Sequence, residues 1–502
     1  MSLTIISIDN TILNVALPSI VRQLAAQGSQ LQWIIDAYTI VFACLLLTAG
    51  SLGDKFGRKG ALTTGLVIFG ACSALASLST TPTELIIARG AMGVGGAFIY
   101  PTTLSILTNT FRGHERARAI GIWAGVSGLG IAVGPLAGGL LLEHFWFGSV
   151  FLVNVPVCIL AVMFGYFVVP STRDPEDTAL DPIGAALSVV ALFGLMYGII
   201  QVPDNGWGSA GVQGGFAIGS AFLVAFGLWE LRSRHPMLDL RFFKNPRFTA
   251  ASATITLISF ALFGSTFLLT QFFQFVLGYS PLKAGLLTSP VAVGLMIGSP
   301  NAPRFVVRWG TTRVVVLGLS TVAVALALYG SATLMSSFVG GMIVRLVFGL
   351  GIGFTSAPVT ESIMGSLPAN RAGVGSAVND TTRQTGGALG VALIGSVFAF
   401  RYHQAIRLPP ALTPAVAKAA HDSIGKALAA ARALPPAQAA SVVRAADRAY
   451  VTAMRPAFWM GTVVVVIAVG VAARFLPARA AEDVEPVGVT DVVGLDPAVP
   501  RT

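Results

Sequence analysis

Two carboxylates and an arginine fall inside apolar stretches near the start of this chain. Asp9 lies in the first such stretch, Asp36 stands beside Trp33 and Tyr38, and Arg89 closes the run Ile86-Ile87-Ala88-Arg89. Burial favours the neutral form of a carboxyl group, and a neighbouring arginine favours the charged form. A group held between those two influences can load and release a proton near neutral pH. Asp9, Asp36 and Arg89 are therefore the candidate proton-coupling residues. An arginine at the centre of a membrane helix costs ~2.5–3.5 kcal/mol on insertion scales, so Arg89 must face the protein interior and find partners there. Glu84, five residues earlier, either marks the membrane interface or shares a network with Arg89.

A second arginine repeats the first. Arg345 follows Arg89 by 256 residues, and Gly93/Gly349 and Gly95/Gly351 keep the same interval. Gly57 and Gly310 are 253 apart, and Arg116 and Arg371 are 255 apart. The chain is thus an internal duplication, and buried charges in duplicated apolar helices point to a secondary transporter.

The elements that must hold these residues are membrane helices. Of 502 residues, 54% are hydrophobic and 11% charged, against about 25% charged in a soluble domain. Fourteen apolar spans of roughly 20 residues each lie between residues 2 and 476, the length that crosses a bilayer. The repeat interval contains eight spans, giving an all-α fold of two six-helix repeats with two inserted helices. The expected division is 1–170 for the first repeat and 171–247 for the inserted pair with its linker. Residues 248–480 form the second repeat, and 481–502 a disordered cytoplasmic tail. Basic residues gather in alternate loops, which places both termini in the cytoplasm of an inner (plasma) membrane protein. Loop 401–455 breaks this pattern, being basic though outside; an odd helix count is the alternative. That loop is Ala-rich and is expected to hold short helices outside the bilayer. The net charge of +10 follows the loops rather than one face, so nucleic acid is not the partner.

The sequence lacks HExxH, a phosphate loop and a nucleophile elbow. Cys44, Cys72 and Cys158 have no metal-ligand spacing. No cofactor, metal or enzyme activity is expected.

Four stretches, in order, resemble the major facilitator superfamily and within it the fourteen-helix drug:proton antiporters. The first span holds Ile8-Asp9-Asn10-Thr11-Ile12-Leu13-Asn14-Val15-Ala16-Leu17-Pro18. The loop after the second holds Gly50-Ser51-Leu52-Gly53-Asp54-Lys55-Phe56-Gly57-Arg58-Lys59. The fourth holds Arg89 through Ala97, and the fifth Gly130-Ile131-Ala132-Val133-Gly134-Pro135-Leu136-Ala137-Gly138-Gly139. The resemblance covers essentially the whole chain. It implies that Gly50, Asp54, Gly57 and Arg58 form a latch between the halves, and that Gly134 and Pro135 form a hinge. Arg89 would act in proton coupling, although Met92 stands where the family usually has Gln.

Physical readings accompany these roles. Asp54 can cap the free N–H groups where the third helix begins. Gly50 allows close helix approach and Gly57 a tight turn, while Arg58 and Lys59 face the cytoplasm. Gly125, Gly128, Gly130, Gly134 and Gly138 make one smooth face, kinked at Pro135. In the thirteenth span Asp380 and Arg383, at i and i+3, form a structural pair. Asn14, Tyr38, Phe263 and Phe267 are candidates for the substrate cavity.

The expected function is export of hydrophobic drug-like compounds, cationic ones among them, by proton-coupled alternating access. The partners would be a small-molecule substrate, protons and the lipid bilayer, with the protein a monomer. The alternatives are an exporter of one metabolite or peptide, and a non-transporting receptor or scaffold. Only eight residues precede Asp9, so either the first helix sits shallow in a thinned bilayer or, the favoured expectation, Met1 is internal to a longer natural chain.

Overall fold

The computed structural model describes residues 1–24, 28–170, 181–233, 235–330, 338–368, 371–409 and 412–476. These residues form helices and no strand. The first group is α1 (Ser2–Leu24), α2 (Gly28–Phe56), α3 (Arg58–Ser77), α4 (Pro82–Thr110), α5 (Gly113–His144), α6 (Ser149–Leu152) and α7 (Asn154–Val168). Then come α8 (Pro182–Asn205) and α9 (Ala210–Arg232). The last group is α10 (Pro246–Gln271), α11 (Pro281–Trp309), α12 (Thr311–Tyr329), α13 (Phe338–Met364), α14 (Ala372–Ala405), α15 (Pro414–Asp422), α16 (Ile424–Ala431) and α17 (Pro436–Phe475).

Helix ends fall where local chemistry sets them. Thr81 and Glu84 form a reciprocal capping box at the start of α4, so Glu84 satisfies orphan N–H groups there. Asp181 and Ser280 cap α8 and α11, each followed by a proline in the first turn, where a missing N–H costs nothing. Gly57 and Gly310, the duplicated pair, both turn the chain between helices with positive φ, 106° and 83°. A π-helical turn, Phe272–Val276, extends α10.

Twelve of the described helices are long and apolar enough to cross a membrane, or up to thirteen if the bent α1 counts as one span. This is compatible with fourteen spans, α5 being the remaining long helix, but is not a count of fourteen. The bilayer replaces water around the bundle, which accounts for apolar faces left outside: Ile159, Met163, Phe164 and Phe167 on α7, and Val463, Val466 and Ile467 on α17.

One hydrophobic core runs through α1–α4, α6 and α7. A second joins α8–α17 to one face of α2. The two groups meet along two glycine-lined seams. On α2, a Cβ at Gly50 would stand 2.6 Å from the Gly373 carbonyl oxygen of α14. On α5, one at Gly121 would stand 2.6 Å from the Ser299 carbonyl oxygen of α11. The α8–α9 pair packs through Gly194, Gly198, Gly215 and Gly219. It leans on the α2–α14 seam, where Trp207 Nε1 donates to Ser396 Oγ at 3.1 Å.

Loop 401–455 differs from expectation at both ends. It contains two short helices, α15 and α16, as expected. However, α14 continues to Ala405 and the last helix starts at Pro436, two decades of sequence early, giving a 40-residue α17. Ala-rich sequence is strongly helix-forming, and the apolar side of this extension, Val442, Ala446, Ala449 and Tyr450, is buried. The proposed cytoplasmic tail 481–502, like Arg173 and Arg234 of the linker, lies outside the described residues.

Candidate functional site

Close packing of α2 on α4 builds the centre of the first group. A Cβ at Gly93 would meet the Tyr38 carbonyl oxygen at 2.8 Å, and one at Gly96 the Tyr38 hydroxyl at 3.0 Å. With only hydrogen at these positions, Tyr38 comes under Arg89, its ring 4.4 Å from the guanidinium carbon. Arg89 Nη1 donates to Asp9 Oδ2 on α1 at 2.5 Å, and Arg89 Nε donates to the Ile34 carbonyl oxygen at 3.2 Å. Asp9 is 0% and Arg89 1% exposed. The carboxylate and the arginine expected to act together in proton coupling thus form one ion pair, and Glu84 is not part of it.

Two residues that the sequence analysis did not single out complete the cluster. Asn154 Nδ2 of α7 donates to Asp9 Oδ1 at 3.1 Å and to Ser73 Oγ of α3 at 3.0 Å. Both Asp9 oxygens therefore have donors, which a buried charge requires. Met92 brings its sulfur to 3.7 Å from Ser73 Oγ and 4.0 Å from Arg89 Nη1. The signal available was polarity alone: Ser73 and Asn154 are uncharged polar residues in apolar spans, and their relevance depends on facing Asp9. Asp36 is buried on α2, but the bonds of the Asp9–Arg89 cluster do not include it.

An aromatic series leaves this cluster and crosses to the last group. The Tyr38 ring stacks on Phe42 at 5.7 Å, Phe42 meets Tyr100 at 5.8 Å, and Tyr100 meets Trp123 at 5.7 Å. Arg383 of α14 lies 5.6 Å over the Trp123 ring. Tyr38 is thus buried under Arg89 rather than open to a cavity. The side chain of Asn14 lies outside the described residues. Phe263 is 41% exposed and covers Gly387 of α14, and Phe267 stands near Gly395 of the same helix.

Asp380 and Arg383 do not pair as expected. Asp380 accepts from Asn379 Nδ2 at 3.1 Å, while its Oδ2 and the Arg383 Nε and Nη2 have no hydrogen-bond partner. Helical spacing permits an i, i+3 pair, but here the guanidinium extends across the seam onto Trp123.

The loop after α2 also differs from its expected arrangement. Asp54 does not cap α3; that helix starts at Gly57 with no side-chain cap. Asp54 instead accepts the backbone N–H groups of Gly373 and Val374 at the start of α14, at 2.8 and 3.2 Å. Arg58 does not face solvent either. It is 2% exposed and donates from Nε and Nη2 to Asp54 Oδ1 at 2.9 and 2.7 Å. Lys59 turns to the Tyr166 carbonyl oxygen, 2.6 Å away. The chain turns sharply at Gly57, so Arg58 doubles back onto the carboxylate one helical turn earlier. At the same end of the bundle Arg116 of α5 pairs with Glu361 of α13 at 2.7 Å, a crossing pair that spacing does not reveal.

The glycines of α5 divide between two faces rather than forming one. Gly121, Gly125 and Gly128 meet α11, whereas Gly130, Gly134 and Gly138 meet α1. Added Cβ atoms at Gly130 and Gly134 would collide with Ser7 and Thr11. The side chain of Pro135 lies outside the described residues.

Comparison with known proteins agrees with this architecture. The family model described as Major Facilitator Superfamily matches residues 1–391. The multidrug efflux pump LfrA of Mycolicibacterium smegmatis is 36% identical over 481 residues, covering 94% of both chains. The methyl viologen resistance protein SmvA of Salmonella typhimurium is 34% identical over 474 residues, covering 93% of this chain and 94% of that one. Among solved structures, a bacterial homologue of the human lysosomal transporter Spinster, inward-facing and occupied, superposes with a TM-score of 0.55 at 19% identity. It covers 94% of this chain and 95% of that one.

Proposed function

The chain belongs to the major facilitator superfamily, and on that premise we propose that it exports hydrophobic drug-like compounds from the cell in exchange for protons. It is a multi-pass membrane transporter and not an enzyme. Its relatives are efflux and resistance proteins over nearly their whole length, which supports a multidrug substrate range.

The observation that carries the proton coupling is the buried Asp9–Arg89 ion pair, held by contacts with Asn154, Tyr38 and Ile34. A proton arriving at Asp9 would neutralise its charge and release Arg89. The guanidinium sits on Tyr38, the first ring of the series that ends at Arg383. Loading would thereby be felt at the seam between the groups.

The basic loops support placing the end that holds Asp54 and Arg116, and both termini, in the cytoplasm. The side-chain hydrogen bonds that join α1–α7 to α10–α17 among the described residues lie at that end: Asp54 to Gly373 and Val374, and Arg116 to Glu361. They support an outward-facing conformer, sealed on the cytoplasmic side. The two groups would be the repeats 1–170 and 248–480, with 171–247 inserted between them, moving about the glycine seams as a monomer in the plasma membrane.

Transport in inverted membrane vesicles tests this reading. A panel of cationic and neutral dyes should be pumped when a proton gradient is imposed and not when it is collapsed. Pumping that ignores the gradient would remove the proton coupling. No movement of any dye would remove the substrate class.

A further inference from the structure

The duplicated arginine of the last group is held differently from Arg89. Arg345 is 2% exposed, its Nε has no acceptor, and no carboxylate pairs with it among the described residues. One face of its guanidinium is covered by the Phe273 ring, 4.2 Å from the central carbon. Tyr329 is 0% exposed, and its hydroxyl likewise has no hydrogen-bond partner among the described residues. The guanidinium and this phenol are near enough to act on each other electrostatically. Tyr329 is enclosed by Phe348 at 5.2 Å and Phe458 at 5.5 Å.

The duplication sharpens the contrast. At the interval of 256 that relates Arg345 to Arg89, Tyr329 stands for Ser73 and Phe348 for Met92. In the first group, the space between the arginine and the residue at the Ser73 position is filled by the Asp9 carboxylate and the Asn154 amide that bonds it. In the last group the arginine and a hydroxyl donor remain, but the chain contributes rings instead of an acid. A buried positive charge without a counter-charge is costly. Two buried donors without acceptors, walled by aromatic rings, match a small negative ligand.

We propose that Arg345 and Tyr329 bind a small monovalent anion, chloride or a carboxylate group, which takes the part in the last group that Asp9 takes in the first. The guanidinium N–H groups and the phenol O–H donate to it. Phe273, Phe348 and Phe458 exclude water around it, which strengthens the attraction. Phosphate and other divalent anions do not suit the site, since a single arginine leaves their second charge unpaired.

The test is thermal unfolding of the detergent-purified full chain in sodium chloride against sodium isethionate, a bulky sulfonate, at constant ionic strength, with sodium acetate as a third arm. A ligand that binds only the folded state raises the melting temperature in a saturable way. Chloride should do so, and Arg345→Met should abolish the dependence. Tyr329→Phe keeps the ring packing and removes one donor, so it should weaken the apparent affinity about tenfold. If Arg345→Met does not fold, Tyr329→Phe decides alone. Saturable stabilisation by acetate but not chloride, with the same loss in the variants, identifies the anion as a carboxylate. A melting temperature indifferent to all three salts overturns the proposal. So does a chloride or acetate effect that Tyr329→Phe leaves unchanged.

Discussion

Asp54 reaches across the molecule to Gly373, 319 residues away in sequence, and accepts its backbone N–H at 2.8 Å. The carboxylate sits at the positive end of α14, where unsatisfied N–H groups favour an anion. Arg58 holds it there, with both donors on Oδ1. The approach needs glycine on both helices: a Cβ at Gly373 would lie 2.6 Å from the Asp54 carboxyl, and one at Gly50 the same distance from the Gly373 carbonyl oxygen. The loop thus holds the two groups together at one end of the bundle, through a cap on a helix that belongs to the other group.

Asp54→Asn removes the charge at nearly constant size. Charge-assisted hydrogen bonds contribute about 1.5–3 kcal/mol each. The balance between conformers should shift by about tenfold or more toward the one open at this end. Spin labels at Phe111 and Trp309, exposed ends of α4 and α11, should report a longer distance in the variant. An unchanged distance distribution would show that the cap does not hold the groups together.

Glu361→Gln breaks the second crossing pair, with Arg116. Here the side chains are 23% and 13% exposed, so solvent screens the attraction and the contribution is about 1 kcal/mol or less. The same spin-label pair should move less than in Asp54→Asn, and the effect should shrink as salt is added. A shift as large as that of Asp54→Asn, insensitive to salt, would contradict this ranking.

Asp9→Asn should stop proton-driven efflux and lower the melting temperature. Leaving one member of a buried ion pair alone costs about 3–5 kcal/mol. Replacing both with apolar residues, Asp9→Leu with Arg89→Met, should restore stability because no charge is left stranded, while transport stays absent. Efflux by the stable double variant at the natural rate would falsify the coupling role.

Gly130→Ala and Gly134→Ala place a methyl group against Ser7 and Thr11 of α1. Overpacking at such a contact costs about 1–3 kcal/mol, so the melting temperature of the purified protein should drop. Gly60→Ala, with nothing within 4 Å of the added carbon, should leave it nearly unchanged. Equal melting temperatures for all three would show that α1 and α5 adjust freely.

Much was legible in the chain because membrane solvation writes it there. A bilayer demands long apolar helices and puts basic residues in one set of loops, and duplication repeats Arg89 as Arg345 and Gly57 as Gly310 at fixed intervals. Glycine spacing in α4 and α5 marked close packing without saying against what. Helical periodicity reports which residues share a face, but not which helix meets that face, so the glycines of α5 read as one surface when they serve both α11 and α1.

What the sequence by itself determined is the helical membrane class, the duplication and the set of charges that must find partners inside it. Only the tertiary structure decided the partners. Asp9 pairs directly with Arg89 and is braced on its other oxygen by Asn154, and Asp54 caps α14 instead of α3. The Arg383 guanidinium lies over Trp123 without a hydrogen bond to Asp380, and Arg345 pairs with no acid among the described residues. The physical reason is that a charge in an apolar interior must be compensated over a few ångströms, while the residues able to do so lie tens or hundreds of positions away. Local propensity carries no information at that range, and the packing of whole helices supplies it.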